Sequence, residues 1–273
     1  MKCEVVTTRG GARAVLDHET GEVMHPVVGP LVESRRLYVD PSRLAERLAE
    51  PAAGPLVLLD VGLGAGSNAL AAWRVSEALP PDARRLRIVS FDRTADALAL
   101  ALEHAGDFAL DGAPGVAAHA LLAHGSHDTP RTTWRFCPGE LPDSLSSEAA
   151  EAADIVYWDP FSPRANPTLW TLTAFRALRR LCRAGCTVHT YSGATATRSA
   201  LLLAGFYVGV GVPIGEEKHS TYAAVSPSDV QNPLEARWLE RVRRSSAPFP
   251  SDAPSDALAQ LERSPQFAGA GRA

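Results

Sequence analysis

No run of residues approaches the roughly 18 consecutive apolar positions that a membrane-crossing helix needs. The opening Met1-Lys2-Cys3-Glu4-Val5-Val6 lacks the apolar stretch of a secretory signal, so a leader is not expected. Cysteine is scarce, with 4 in 273 residues, too few for a disulfide scaffold. Cys182 and Cys186 are separated by a predicted helix end and strand start, and Cys3 and Cys137 are remote, so no metal site is expected. A reducing, cytoplasmic setting is the default for such a chain. Excess positive charge is also missing: Lys+Arg number 27 against 31 Asp+Glu, a net −4. That excludes a surface coated in positive charge, though not a local basic patch.

Hydrophobic residues make up 45% of the chain, enough for a full core and too many for a disordered protein. Residues 1–50 read as an N-terminal extension, with a strand at Ala12-Arg13-Ala14-Val15-Leu16 and a helix starting at Asp40-Pro41. After the break at Pro51-Ala52-Ala53-Gly54-Pro55, strands and helices alternate through residues 51–225. Leu56-Val57-Leu58-Leu59-Asp60 is an apolar run of the buried parallel-strand type. Further strands are expected at Arg87–Asp92, Thr132–Phe136, Asp154–Asp159, Cys186–Tyr191, Phe206–Val212 and Thr221–Val225, the last two as a hairpin. Helices are expected at Asn68–Leu79, Ala95–Glu103, Leu169–Cys182 and Thr195–Ala204. The pattern predicts an α/β fold: a seven-stranded, mostly parallel sheet with helices on both faces. Residues 226–273 read as one helix, Pro233–Arg244, and a loose tail.

Asp60-Val61-Gly62-Leu63-Gly64-Ala65-Gly66 joins the first of these strands to its helix. Gly62 and Gly64 let the backbone turn tightly beside a ligand, and Gly66 can sit close to the helix start. Asp92 ends the next strand, where a carboxylate can accept both hydroxyls of a ribose. The G-x-G-x-G spacing is closer to a loop that holds S-adenosylmethionine (SAM) than to a dinucleotide fingerprint. A Gly-rich turn that serves packing alone remains the alternative. Glu140, after the third strand, is placed to meet an adenine amino group or else to be a solvated acid. Asp159-Pro160-Phe161-Ser162-Pro163 ends the fourth strand, followed by Arg164-Ala165-Asn166-Pro167-Thr168-Leu169-Trp170. There an Asp can orient or deprotonate a nitrogen nucleophile, and an aromatic can stack on a base.

The loop at Asp60–Asn68 and the block at Asp159–Trp170 resemble the MnmC/MnmD-type family of tRNA wobble-uridine 5-aminomethyl methyltransferases. That family has a G-F-G-T-G-x-N loop and a D-x-F-S/A-P-x-x-N-P-x-L/M-W block. His25-Pro26-Val27-Val28-Gly29-Pro30-Leu31-Val32-Glu33-Ser34-Arg35 is similar to its H-S-x-x-G-A-x-x-E-S-R segment. Thr190-Tyr191-Ser192 and Ala204-Gly205-Phe206 also match. The resemblance covers residues 8–225 and implies a class I SAM-dependent methyltransferase with a Rossmann-like sheet. It implies the stand-alone methyltransferase form, with residues 1–50 packing on the cofactor site. Asp60, Gly62, Gly64, Gly66, Asn68, Asp92, Glu140 and Glu33 would hold SAM. Asp159 would take or orient the proton of an amine, with Phe161 beside it, and Trp170, Asn166 and Arg164 would meet the substrate. The implied partner is a tRNA anticodon loop. Two acids, Glu216 and Glu217, replace the family's basic K-R-E-M stretch and would repel phosphate. Ala65 and Ser67 replace its Thr and Leu in the Gly loop. A small amine as acceptor, an aminopropyl transfer, and a non-catalytic nucleotide-binding protein are the alternatives.

Other features read blandly. His124-Gly125-Ser126-His127-Asp128 is a polar loop with no third metal anchor. Arg176, Arg179, Arg180 and Arg183 form a solvated helix face. Arg237, Arg241, Arg243 and Arg244 are the densest basic cluster and the best candidate for an RNA contact, although Trp238 among them suggests packing.

Overall fold

The chain opens with a small antiparallel sheet of β1 (Cys3–Thr7), β2 (Arg13–Asp17) and β3 (Glu22–Val23). The structure is a computed structural model and describes residues 2–8, 10–25, 29–214 and 218–267. Helix α1 (Pro30–Ser34) runs directly into a π-helical turn, Arg35–Val39. Such turns are rare and tend to occur at functional sites. Asp40 closes this turn, its amide donating to the Arg35 carbonyl at 2.9 Å, so it does not cap the next helix as expected. Arg43, at φ 54°, precedes α2 (Leu44–Ala49) instead.

The large sheet follows: β4 (Leu56–Val61), α3 (Ser67–Glu77), β5 (Leu86–Asp92), α4 (Asp96–Glu103), α5 (Ala113–His124), β6 (Ser126–Asp128) and β7 (Thr132–Pro138). Then come β8 (Ala153–Trp158), α6 (Leu172–Leu181), β9 (Cys182–Thr190), α7 (Thr195–Leu203), β10 (Tyr207–Pro213) and β11 (His219–Ala224). The strand order is β10-β11-β9-β8-β4-β5-β7-β6. Strands β4, β5, β7, β8 and β9 pair in parallel, and β6, β10 and β11 pair antiparallel. The sheet thus has eight strands rather than seven. The added one, β6, lies in the stretch read as a polar loop: His124 ends α5, and Gly125 turns the chain at φ 74° onto the sheet edge.

Alternation along the strands explains the two helical layers. Leu56, Leu58, Ile88, Ile155 and Tyr157 point to one face and pack with α2 to α5. Val57, Leu59, Val61, Val89, Phe91, Val156 and Trp158 point to the other and pack with α6 and α7. Val15, Tyr38, Leu44 and Leu48 of the N-terminal region join the first face. The C-terminal region joins the second through α8 (Trp238–Arg244) and α9 (Ala257–Glu262). Trp238 stacks on Phe267, with ring planes 22° apart. The Gln266 side chain bonds both the amide and the carbonyl of Val208 at 2.7 Å. The expected loose tail is therefore packed as far as Phe267. Each such buried side chain contributes about 1.5–3 kcal/mol, enough to hold a short terminal helix in place.

The arginines read as a solvated face are largely structural. Arg179 lies over the Phe206 ring, Arg180 donates to the Leu145 and Glu148 carbonyls, and Arg183, on β9, pairs with Asp154 at 3.1 Å.

Candidate active site

The chain leaves β4, builds β5 and β7 to one side, and returns to β8 on the other. The carboxyl ends of β4 and β8 therefore flank the point where strand order reverses, the place where open α/β sheets bind ligands. A cavity of about 650 Å³ lies there. Its walls include Gly62, Gly64 and Asp92 from the sheet side, Asp159, Phe161 and Asn166 from the loop after β8, and Met24, His25 and Glu33 from the N-terminal region.

Gly62 is required by a close approach. Its φ is 95°, and a Cβ there would lie 2.6 Å from the Asp159 carbonyl oxygen. The Asp159 amide in turn donates to the Val61 carbonyl at 2.9 Å, so the two loops are locked together. At Gly64, φ is 50° and a Cβ would lie 3.1 Å from the Met24 sulfur. The Gly64 amide donates to Asp92 Oδ2 at 3.0 Å, and the Arg93 amide to Oδ1 at 2.7 Å. These bonds fix the Asp92 carboxylate at the cavity wall with lone pairs to spare. Burial raises its pKa, and the two amides work against that rise.

Asp159 is the most constrained group. Tyr38 donates its hydroxyl to Oδ1 at 2.5 Å, and Asn68 donates Nδ2 to Oδ2 at 2.7 Å. His25 Nε2 stands 3.6 Å from Oδ2, while its Nδ1 is 3.9 Å from Glu33 Oε2. His25 takes φ 52°, an uncommon backbone state for a residue with a side chain, of the kind that clusters at functional sites. Burial raises the Asp159 pKa, while His25 and the bonds from Tyr38 and Asn68 pull it back. The result is a carboxylate of enhanced basicity in a fixed orientation.

Several expected site residues sit elsewhere. Asp60 is fully buried behind the Gly loop, accepting from Ser90 Oγ at 2.7 Å, with Oδ1 unpartnered among the described residues. Burial pushes its carboxyl up to about 8. Gly66 faces Leu98 and Leu70 and serves packing. Asn68 is buried and reaches the site through Asp159. Glu140 is exposed, and its neighbour Leu141 lines the cavity instead. Trp170 is buried against Phe175 and Tyr191 and donates to the Phe161 carbonyl at 2.8 Å, so it braces that loop rather than offering a stacking face. The Arg164 side chain is 81% exposed, 3.6 Å from Glu22.

Sequence reasoning missed Tyr38 and gave His25 no role. It also missed Glu22, which accepts from the Ser162 amide at 2.9 Å and from its hydroxyl, tying β3 to the Asp159 loop. Pro26, Val27 and Val28 of the His25–Arg35 segment lie outside the described residues, as do Glu216 and Glu217.

The residues present suit SAM: glycines that open the backbone, an acid fixed at the end of β5, and a buried, oriented carboxylate across the same cavity. Fold and site together define a class I SAM-dependent methyltransferase. A family model described as S-adenosyl-L-methionine-dependent methyltransferase matches residues 128–226. A Cupriavidus metallidurans protein, named tRNA 5-methylaminomethyl-2-thiouridine biosynthesis bifunctional protein MnmC, is 30% identical over 239 residues, covering 81% of this chain and 34% of that protein. Its namesake from Chromobacterium violaceum is 30% identical over 236 residues, covering 81% and 36%. The chain thus spans about a third of the length of these curated relatives. The crystal structure of MNMC2 from Aquifex aeolicus superposes with a TM-score of 0.72 at 24% identity, covering 95% of this chain and 82% of that one. The chain belongs to the MnmC/MnmD-like family. Among the described residues, no helix is long and apolar enough to cross a membrane.

Proposed function

We propose that this methyltransferase acts on an amine, the 5-aminomethyl group of a wobble uridine in tRNA, in the cytoplasm. The observation that carries the reading is Asp159, held by Tyr38 and Asn68 in the wall of the cavity that Asp92 and the Gly loop share. The names of the MnmC relatives support the tRNA substrate.

An alkylamine is mostly protonated at neutral pH and must lose a proton before its lone pair can attack. The Asp159 carboxylate accepts that proton, its pKa raised by burial toward the operating range. Tyr38 and Asn68 hold the carboxylate still, so that the nitrogen is presented along one line. SAM, which Gly62, Gly64 and Asp92 would hold, would supply an electrophilic sulfonium methyl for the neutral nitrogen. Alignment at about 3 Å supplies much of the rate. Phe161 and Leu141 line the cavity with apolar surface that excludes water and suits a splayed-out base.

A free small amine is the rival acceptor, favoured by the four carboxylates of the cavity wall, Glu22, Glu33, Asp92 and Asp159. Incubation with methyl-labelled SAM and tRNA from a strain lacking the modification, followed by nucleoside mass spectrometry, separates the two. Label in the wobble uridine supports the tRNA reading. Label confined to added polyamines or other free amines overturns it.

A further inference from the structure

Next to the amine cavity lies a groove of about 1020 Å³, and Tyr191 and Ile214 line both. Its wall carries Arg198 from α7, Lys218 just before β11, and Arg237 and Arg241 at α8, against one carboxylate among the described residues, Glu235. Glu235 is committed to Arg237 at 2.9 Å. Of the basic cluster on α8, Arg243 is bound to Glu240 and Glu262, and Arg244 donates to the Glu240 carbonyl. Arg241 is left: it lines the groove and has no acidic partner among the described residues.

Arg198 is built into the groove floor at 6% exposure. Its Nε donates to Thr221 Oγ1 at 3.0 Å, and its Nη2 to the His219 and Ser220 carbonyls at 3.3 and 3.1 Å. Nη1 has no partner among the described residues and is not sealed from solvent. Burial, and then the charge of Arg241, lower its pKa to about 10. Two cations held near each other without a carboxylate repel, and a bound anion relieves that repulsion. A guanidinium aimed this way matches a phosphate.

We propose that this groove holds the phosphate backbone of the RNA beside the nucleotide whose base enters the amine cavity, with Arg198, Arg241 and Lys218 as the phosphate contacts. The proposal rests on the tRNA reading above. A ligand filling both spaces carries a base at one end and phosphates along its length, as a polynucleotide does. Glu216 and Glu217, which precede Lys218 in the chain, work against its contact with phosphate, so Arg198 and Arg241 carry the larger share.

The test uses the full chain with Arg241→Glu, Lys218→Glu and, as a control for charge alone, Arg176→Glu, an exposed α6 residue outside the groove wall. KM for tRNA, the dependence of tRNA affinity on salt, and turnover of the free aminomethyl nucleoside are measured. Arg241→Glu and Lys218→Glu should each raise KM for tRNA about tenfold and lower the log–log salt slope by about 1. Nucleoside turnover should stay as in the wild type, and Arg176→Glu should change KM by less than about twofold. If all three variants behave alike while the wild type methylates tRNA, the groove assignment falls and the tRNA reading stands. A wild type that turns over the nucleoside but not tRNA overturns both.

Discussion

Tyr38 and Asp159 are 121 positions apart in the chain, and the tyrosine hydroxyl meets the carboxylate at 2.5 Å. The π-helical turn after α1 brings the ring in, and the close approach of Gly62 holds the opposite loop. Because the Tyr38 bond stabilises the charged carboxylate, Tyr38→Phe should raise the Asp159 pKa further. The acidic limb of the kcat/KM profile should then move to higher pH, with kcat falling about tenfold near neutrality. A profile that keeps its limb while losing rate would show that Tyr38 acts through packing alone.

The Gly62 position admits no side chain. Gly62→Ala must displace the Asp159 backbone or distort a positive φ, so a stability loss of about 2–3 kcal/mol is expected, together with near-complete loss of turnover. Denaturant melts and methyl-transfer assays check it. An alanine variant of normal stability and activity contradicts the locked-loop geometry.

Asp92 is expected to anchor SAM. Asp92→Ala should weaken SAM binding by about 1.5–3 kcal/mol, the scale of lost hydrogen bonds to a charged group. Isothermal calorimetry reads this directly, and unchanged affinity removes Asp92 from the cofactor site.

Much of this was legible in local pattern. The apolar run of β4 is buried at every position, and the acids at the ends of β5 and β8 stand where the fold places ligand groups. What escaped depends on partners distant in sequence. Nothing near Arg35-Arg36-Leu37-Tyr38 announces a π-turn or a carboxylate 121 residues on. Trp170 looked like a stacking residue because an indole beside a reactive loop can stack or brace, and only its bond to the Phe161 carbonyl decides. Strand β6 has three residues, too short for alternation to show. The tail is rich in Pro and Ser, yet Trp238, Leu261 and Phe267 find the sheet face that α6 and α7 leave uncovered.

Asp60 gives a pH-dependent signature of the buried acid behind the Gly loop. Its folded pKa of about 8 lies above the ordinary 3.8. Its contribution to stability is therefore fully present below about pH 4 and is lost progressively as pH rises to about 8. Asp60→Asn mimics the protonated acid and escapes that loss. Thermal melts of the two proteins should converge near pH 4, diverge in favour of the variant up to pH 8, and run parallel above it. A constant offset at every pH contradicts the buried-acid account.

The proton-accepting role proposed for Asp159 is the core of the proposed mechanism. Asp159→Asn keeps the shape and the contact with Tyr38 but cannot take a proton from the amine. General-base groups contribute about 10²–10⁴-fold. Single-turnover methyl transfer, measured from pH 6 to 9 with SAM saturating, should fall by that factor in Asp159→Asn, least at pH 9, where more of the amine is already neutral. SAM affinity should be little changed. Rates within a few-fold of wild type across the whole range would contradict the assignment and leave the Asp159 loop as architecture.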